Sequence, residues 1–100
     1  MPENPPSLPG KERLILELLI AAGPLFGLEL VKHSDGALKR GTVYATLARM
    51  EQKGYVTSEQ EELQPGAIGL PRRRYRPTRL GERVLNAWVL LSREFAWEAE

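Results

Sequence analysis

Thr42, Thr46, Arg49 and Lys53 recur at i, i+4, i+7 and i+11, the spacing that puts side chains on one face of a helix. That face carries hydroxyls, a guanidinium and an ammonium, and no carboxylate. A guanidinium can give paired hydrogen bonds to a guanine edge, and threonine hydroxyls reach either bases or phosphates. Lys39 and Arg40 lie just ahead of this face and suit phosphates, which give affinity without sequence preference. Tyr44 falls at the margin. Its ring belongs either to the core or to the surface, with its hydroxyl at a phosphate, and the sequence leaves both open.

A second cluster is denser. Arg72, Arg73, Arg74 and Arg76 fall within five residues, interrupted by Tyr75 and followed by Pro77. Arginine also blunts exposed sheet edges. Four in so short a span exceed that need and favour contact with a nucleic-acid backbone or minor groove. The two clusters are the basic parts of a chain whose net charge is only +1. Residues 39–53 sum to +3, residues 70–83 to +5, and the remainder to −7. Such segregation lets a polyanion meet two basic segments while the rest stays acidic.

Other chemistries lack their residues. Cysteine is absent, which removes disulfides and cysteine-ligated zinc and fits a reducing compartment. His33 has no partner at metal-ligand spacing and reads as a surface residue. There is no Gly-rich phosphate loop and no Ser/His/Asp set, so the expectation is a protein without catalysis, cofactor or metal. No apolar run is long enough for a bilayer, and the proline-rich start has no apolar segment of a secretory signal.

The elements that must position these residues follow from periodicity. One hundred residues make one domain with a modest core. Residues 1–9 hold four prolines and read as a disordered or loosely docked arm. A first helix is expected over Gly10 to Ala22, with Leu14, Ile15, Leu18, Leu19 and Ala22 inward and Leu16 and Ile20 to one side. A second runs from Gly27 to His33, anchored by Leu28, Leu30 and Val31. The third carries the Thr42–Lys53 face. Val43, Leu47 and Met50 form its apolar side, and Gly54 offers a left-handed stop. Strands are expected over residues 55–60 and 72–76, joined by a loop with Pro65, Gly66, Gly69 and Pro71. Pro77 confines the second strand to an edge. Thr78 caps a last helix through Trp97, which Gly81 weakens.

This order of helix, helix, helix, strand, loop, strand, helix is a mainly α, α+β winged helix-turn-helix: three helices, a two-stranded β wing and a C-terminal dimerisation helix. The units are the arm (1–9), the winged domain (10–78) and the dimerisation helix (79–100). On the last helix Leu80, Val84, Ala87, Trp88, Leu91 and Phe95 share a face. Leu85, Val89 and Ala96 widen it to about half the circumference, well past the ~100° stripe of a helix packed on one side. A second copy is expected to cover it, meeting Leu16, Ile20, Leu80, Val84, Trp88, Leu91 and Phe95. Trp88 and Trp97 are also candidates for sandwiching a planar aromatic effector, although tryptophans at helical spacing are more often packing residues.

Three segments carry a resemblance. Gly23-Pro24-Leu25-Phe26-Gly27-Leu28-Glu29-Leu30 resembles G-P-x-[HY]-G-Y-E-[LI]. Gly41 to Val56 resembles G-[TS]-L-Y-P-x-L-x-R-L-E-x-x-G-[LY]-[IV]. Gly69 to Gly81 resembles G-R-P-[RK]-[RK]-Y-Y-x-L-T-x-x-G. In this order and spacing they resemble the PadR family of bacterial and phage transcriptional regulators, in its short class with a single C-terminal helix. The resemblance implies a homodimeric winged-helix protein on double-stranded DNA, usually a repressor, and in some short members a pocket for flat aromatic compounds. The expected setting is the cytoplasm of a bacterial or phage-infected cell, at the nucleoid. Lys39-Arg40 replaces the usual Ser-Pro, Ala45 a frequent proline, Arg74 the first of two tyrosines and Pro77 a strand leucine. On residue types and resemblance together, the expected contacts to DNA are Lys39, Arg40, Thr42, Tyr44, Thr46, Arg49, Lys53, Arg72, Arg73 and Arg74. The alternative is a winged-helix protein-interaction module of anti-repressor type, suggested by the low net charge and by Glu59, Glu61 and Glu62 beside the wing.

Overall fold

A computed structural model describes residues 5–98, with side chains described as far as Glu94. Its elements are α1 (Gly10–Ala22), β1 (Leu25–Phe26), α2 (Gly27–His33), α3 (Arg40–Lys53), β2 (Val56–Gln60), β3 (Arg73–Pro77) and α4 (Arg79–Glu98). The expected winged helix-turn-helix is present, with one added strand. β1 pairs antiparallel with β3, giving a three-stranded sheet in the order β1-β3-β2. The strand bearing Pro77 is therefore central, not at an edge. Proline is tolerated there because β1 is two residues long and reaches only Tyr75 and Arg74, short of Pro77.

The core lies between α1, α3 and the sheet. It contains Ile15, Leu16, Leu19, Leu30, Leu38, Val43, Leu47, Met50, Tyr55, Val56, Tyr75, Val84 and Leu85. The buried side of α1 is residues 12, 15, 16 and 19, rotated from the expected face. Leu16 is 0% exposed and Val84 3%, so both are core residues of the protomer and offer no surface to a second copy. The sequence could not show this, because the charged Glu12 interrupts the apolar period that would have marked that side. Leu28, expected as an anchor of α2, is exposed, while Leu30 is buried.

Local hydrogen bonds set the element ends. The Glu29 carboxylate accepts the Phe26 N–H at 2.8 Å, half of a capping box that starts α2. Ser34 closes the turn into α3: its hydroxyl donates to the Val31 carbonyl and accepts the Leu38 N–H. Gly54 stops α3 in the left-handed conformation (φ 81°), and the Tyr55 N–H reaches back to the Met50 carbonyl. α3 itself starts at Lys39 without a side-chain cap.

The wing and α4 meet at Thr78. Its hydroxyl accepts the Gly81 N–H at 3.0 Å and donates to the Gly54 carbonyl, and its N–H donates to the Tyr55 carbonyl. Gly81 is required here: a Cβ on it would lie 2.2 Å from the Tyr55 oxygen. The glycine that weakens the helix locally is what lets α4 cross the start of the wing.

Of the arm expected over residues 1–9, residues 1–4 lie outside those described and residues 5–9 are docked on the helices. The Trp88 indole N–H donates to the Pro6 carbonyl at 2.7 Å, the Tyr55 hydroxyl donates to the Ser7 carbonyl at 2.8 Å, and Leu8 packs on the core. Carbonyls are the groups a proline-rich segment still offers, since proline has no N–H.

Candidate nucleic-acid interface

α3 exposes one long side to solvent. Lys39, Arg40, Thr42, Tyr44 and Arg49 are all exposed along it. Tyr44 is 49% exposed with its ring edge against α2: a Cβ on Gly27 would meet that ring at 2.5 Å. The ring is thus neither core nor free. It lies flush on the one residue that leaves room for it.

Two of the sequence-predicted contact residues are placed differently. Thr46 is 4% exposed, and its hydroxyl donates to the Thr42 carbonyl one turn back, so it faces the protein. The i, i+4 arithmetic put it with Thr42, but α3 leans on α1 and buries the more inward of the two. Lys53 is drawn sideways. Its ammonium donates to both carboxylate oxygens of Glu12 at 2.9 and 3.2 Å. Arg49 flanks the same carboxylate, with Nε 3.9 Å from it, and one terminal nitrogen donates to the Thr46 hydroxyl at 3.3 Å. Glu12 is 1% exposed, the one carboxylate in the core of the described residues. Sequence reasoning missed it. The signal was a glutamate at the first turn of α1 on the face where the apolar period calls for leucine.

The wing arginines are each engaged. Arg72 makes a two-pronged ion pair with Glu61 (3.0 and 3.1 Å), and its backbone N–H donates to the same carboxylate. This contact holds the Glu61 carboxyl below the usual carboxylate range and pushes the Arg72 guanidinium up. Arg76 lies 3.7 Å from Glu59. Arg73 donates to the Ser58 hydroxyl, which in turn donates to Glu51. Arg74 sits opposite Phe26 in the sheet with its guanidinium over that ring, and Arg72 lies over the same ring at 3.9 Å from the centroid. Arg72 and Arg74 thus converge on one side of the ribbon, as the strand alternation requires. Burial, with the charge of Glu51, raises the Tyr75 hydroxyl above the usual tyrosine range. The ribbon tip is apolar: Ile68 is 100% exposed and Leu70 89%.

A cleft of about 330 Å³ separates the wing from the helices, lined by Phe26, Leu28, Tyr44, Leu70 and Arg73 among others. Among the described residues no group of histidine, aspartate and glutamate is arranged to hold a metal ion. No helix there is long and apolar enough to cross a membrane.

The model of the PadR-like transcriptional regulator family matches residues 15–87, most of the chain. The chain belongs to this family. It is a family of transcription regulators, not of enzymes. Among solved structures the chain is similar to a PadR-like transcription factor from Bacteroides fragilis (22% identity, 90% of this chain and 87% of that one, TM-score 0.72). It is also similar to a PadR-family transcriptional regulator from Eggerthella lenta (29% identity, 88% and 80%, TM-score 0.65). Bacillus subtilis PadR, solved in complex with operator DNA, matches at 22% identity over 77% of this chain and 45% of that one, TM-score 0.67. No curated protein matches.

On α4 the face expected to meet a second copy is divided. Val84, Leu85, Trp88 and Val89 pack on the protomer's own core, whereas Leu80 is exposed and Leu91 is half-buried; Leu90, outside that face, is exposed too. Ile20 on α1 is exposed as well. The side chains of Phe95 and Trp97 lie outside those described.

Proposed function

We propose that this PadR-family regulator binds double-stranded DNA sequence-specifically as a homodimer and represses from a palindromic operator. The observation that carries this reading is the exposed cationic side of α3, with Arg49 two turns beyond Thr42 and Lys39-Arg40 leading in, flanked by a wing rich in arginine. Arg49 and Thr42 are the residues suited to base edges. Lys39, Arg40, Arg73 and Arg74 suit phosphates, and Tyr44 offers its hydroxyl at the helix margin. Thr46 acts by orienting Arg49, and Lys53, drawn to Glu12, stands aside from the contact. A two-fold pair of such helices about 34 Å apart would read a palindrome, and occupancy of that site is all that repression needs.

The apolar residues left for a second copy are Ile20, Leu80, Leu90 and Leu91, with Phe95 and Trp97 further along the same helix. Trp88 contributes at the edge, since its indole N–H is already held by Pro6. That bond also makes a planar effector between Trp88 and Trp97 a secondary reading. The setting for such a regulator is the bacterial cytoplasm, at the nucleoid.

Selection of bound duplexes from a random pool tests symmetry, spacing and preference together. Enriched palindromes with half-sites one turn apart are expected, with affinity falling steeply as salt rises. No enrichment, or binding indifferent to salt, overturns the reading. One observation favours a second reading, a protein-interaction module: Glu61 and Glu59 already neutralise Arg72 and Arg76. Under it, gel shifts stay empty at low salt while a protein partner is captured.

A further inference from the structure

Glu12 contradicts its surroundings. Its neighbours on the buried side of α1 are Ile15, Leu16 and Leu19, and a leucine in its place would complete their stripe. A carboxylate in a core carries a desolvation cost unless it is paired and fully hydrogen-bonded. Here it is paired on both sides by cations from one element: Lys53 on both oxygens and Arg49 at 3.9 Å. The carboxylate thus spans from the first turn of α1 to the last two turns of α3. It does this beside the side chain that the proposed function assigns to base recognition.

Arg49 is long and exposed, and a free guanidinium at such a site would sample many rotamers. Two contacts restrict it: Nε faces Glu12 and one terminal nitrogen donates to the buried Thr46 hydroxyl. Thr46 is itself fixed by the Thr42 carbonyl. These contacts engage Nε and one terminal nitrogen, on the side of the guanidinium that faces the protein. Lys53 supplies the second positive charge that the buried carboxylate needs, which explains why a residue on the reading face is turned away from it.

We infer that Glu12 is a positioning residue for DNA recognition: through its contacts with Arg49 and Lys53 it fixes the aim of the Arg49 guanidinium and so sets base discrimination from inside the fold. This rests on the DNA-binding reading above. Glu12 itself touches no DNA under this inference. It trades affinity for selectivity, because its negative charge cancels one cation near the phosphates while ordering the other.

The test compares wild type with Glu12→Gln and Glu12→Leu on the duplex selected from the random pool and on a scrambled duplex, across a salt series. Glutamine keeps the shape and removes the charge. Leucine completes the apolar stripe and leaves Lys53, which is one-third exposed, free to reach water, so it folds even where the glutamine variant does not. Both variants are expected to bind the scrambled duplex more tightly than wild type, with a steeper salt slope from the released lysine. Their ratio of selected to scrambled affinity should fall by roughly 5- to 50-fold, within what one arginine–guanine contact contributes. In an Arg49→Ala background the same substitutions should leave the ratio where Arg49→Ala put it. With Arg49 present, Glu12→Asp should keep part of the wild-type ratio that Glu12→Gln and Glu12→Leu lose.

A purely structural role would lower thermal stability and leave the ratio intact; that result overturns the inference. So does a loss of ratio fully additive with Arg49→Ala. If wild type itself prefers no duplex, the DNA reading fails first and the inference with it, whereas a selective wild type with equally selective Glu12 variants refutes the inference alone.

Discussion

The two basic segments hold their cations in opposite ways. In the wing, Arg72 and Arg76 are paired with Glu61 and Glu59 at the protein surface, where both partners meet water. In α3, Arg49 and Lys53 share the buried Glu12. Exposed ion pairs contribute little and exchange partners readily. A buried carboxylate cannot lose its cations without a large penalty. Under the proposed function, Arg76, in a single long contact with Glu59, passes to a phosphate at smaller cost than the two-pronged Arg72, while Arg49 and Lys53 at the far end of α3 are oriented by Glu12 before DNA arrives. On the proposed reading, one region adapts and the other aims.

The wing meets the end of α3 at the junction with Gly81, and one of the two largest effects should come from there. Alanine normally stabilises a helix relative to glycine by about 1 kcal/mol. Here its Cβ would strike the Tyr55 carbonyl at 2.2 Å, so Gly81→Ala should instead destabilise on the order of 3 kcal/mol. A melting temperature unchanged or raised by this substitution would show that the wing and α4 can separate freely.

Of similar size is Leu16→Ala. Truncating a leucine that is 0% exposed should cost about 2–5 kcal/mol. Thermal melts over a range of protein concentration distinguish the core from an interface: a core residue lowers the midpoint equally at all concentrations. Ile20→Glu, by contrast, should shift the monomer–dimer equilibrium in sedimentation while leaving the monomer's stability within about 0.5 kcal/mol.

The comparison of the two basic segments sharpens with Arg49→Ala against Arg73→Ala. The first should lose about 1–3 kcal/mol of discrimination between the selected site and a single-base variant. The second should weaken all duplexes alike and flatten the salt slope by about one unit. Equal loss of discrimination from both would erase the distinction between aiming and adapting.

The smallest effect concerns acid. Arg72 depresses the folded-state value of the Glu61 carboxyl. A depressed carboxylate stabilises the fold above its unfolded value, and that contribution disappears as pH falls through the lower, folded value. The Arg72 amide, which donates to Glu61, should therefore shift in an NMR titration only below the ordinary glutamate range. Movement of that amide near neutrality would mean the pair is not formed.

Much of this was legible in the residues. α2 runs from Gly27 to His33 as Gly-Pro ahead and Ser-Asp-Gly behind require, and Gly54 and Thr78 mark their helix ends. The wing strands lie within a residue of where alternation puts them. What stayed hidden has physical reasons. β1 is two residues long, too short for any period, and exists only because β3 passes beside it. The burial of Glu12 depends on cations some forty residues away, a pairing no local pattern encodes. Thr46 and Thr42 are equivalent on a wheel and differ only by the lean of α3 on α1. The breadth of the apolar face on α4 reflected two coverings, the protomer's own core and the remaining exposed leucines, and composition alone does not divide them.

The bond from Trp88 to Pro6 has an optical consequence. An indole whose N–H is held by a backbone carbonyl, with prolines around it, emits according to whether that strap is seated. The Trp88 share of the fluorescence is thus expected to follow how residues 5–9 are attached. A Trp97→Phe variant would leave Trp88 as the sole emitter, and a change in its emission on adding DNA or an aromatic compound would then include any release of that strap.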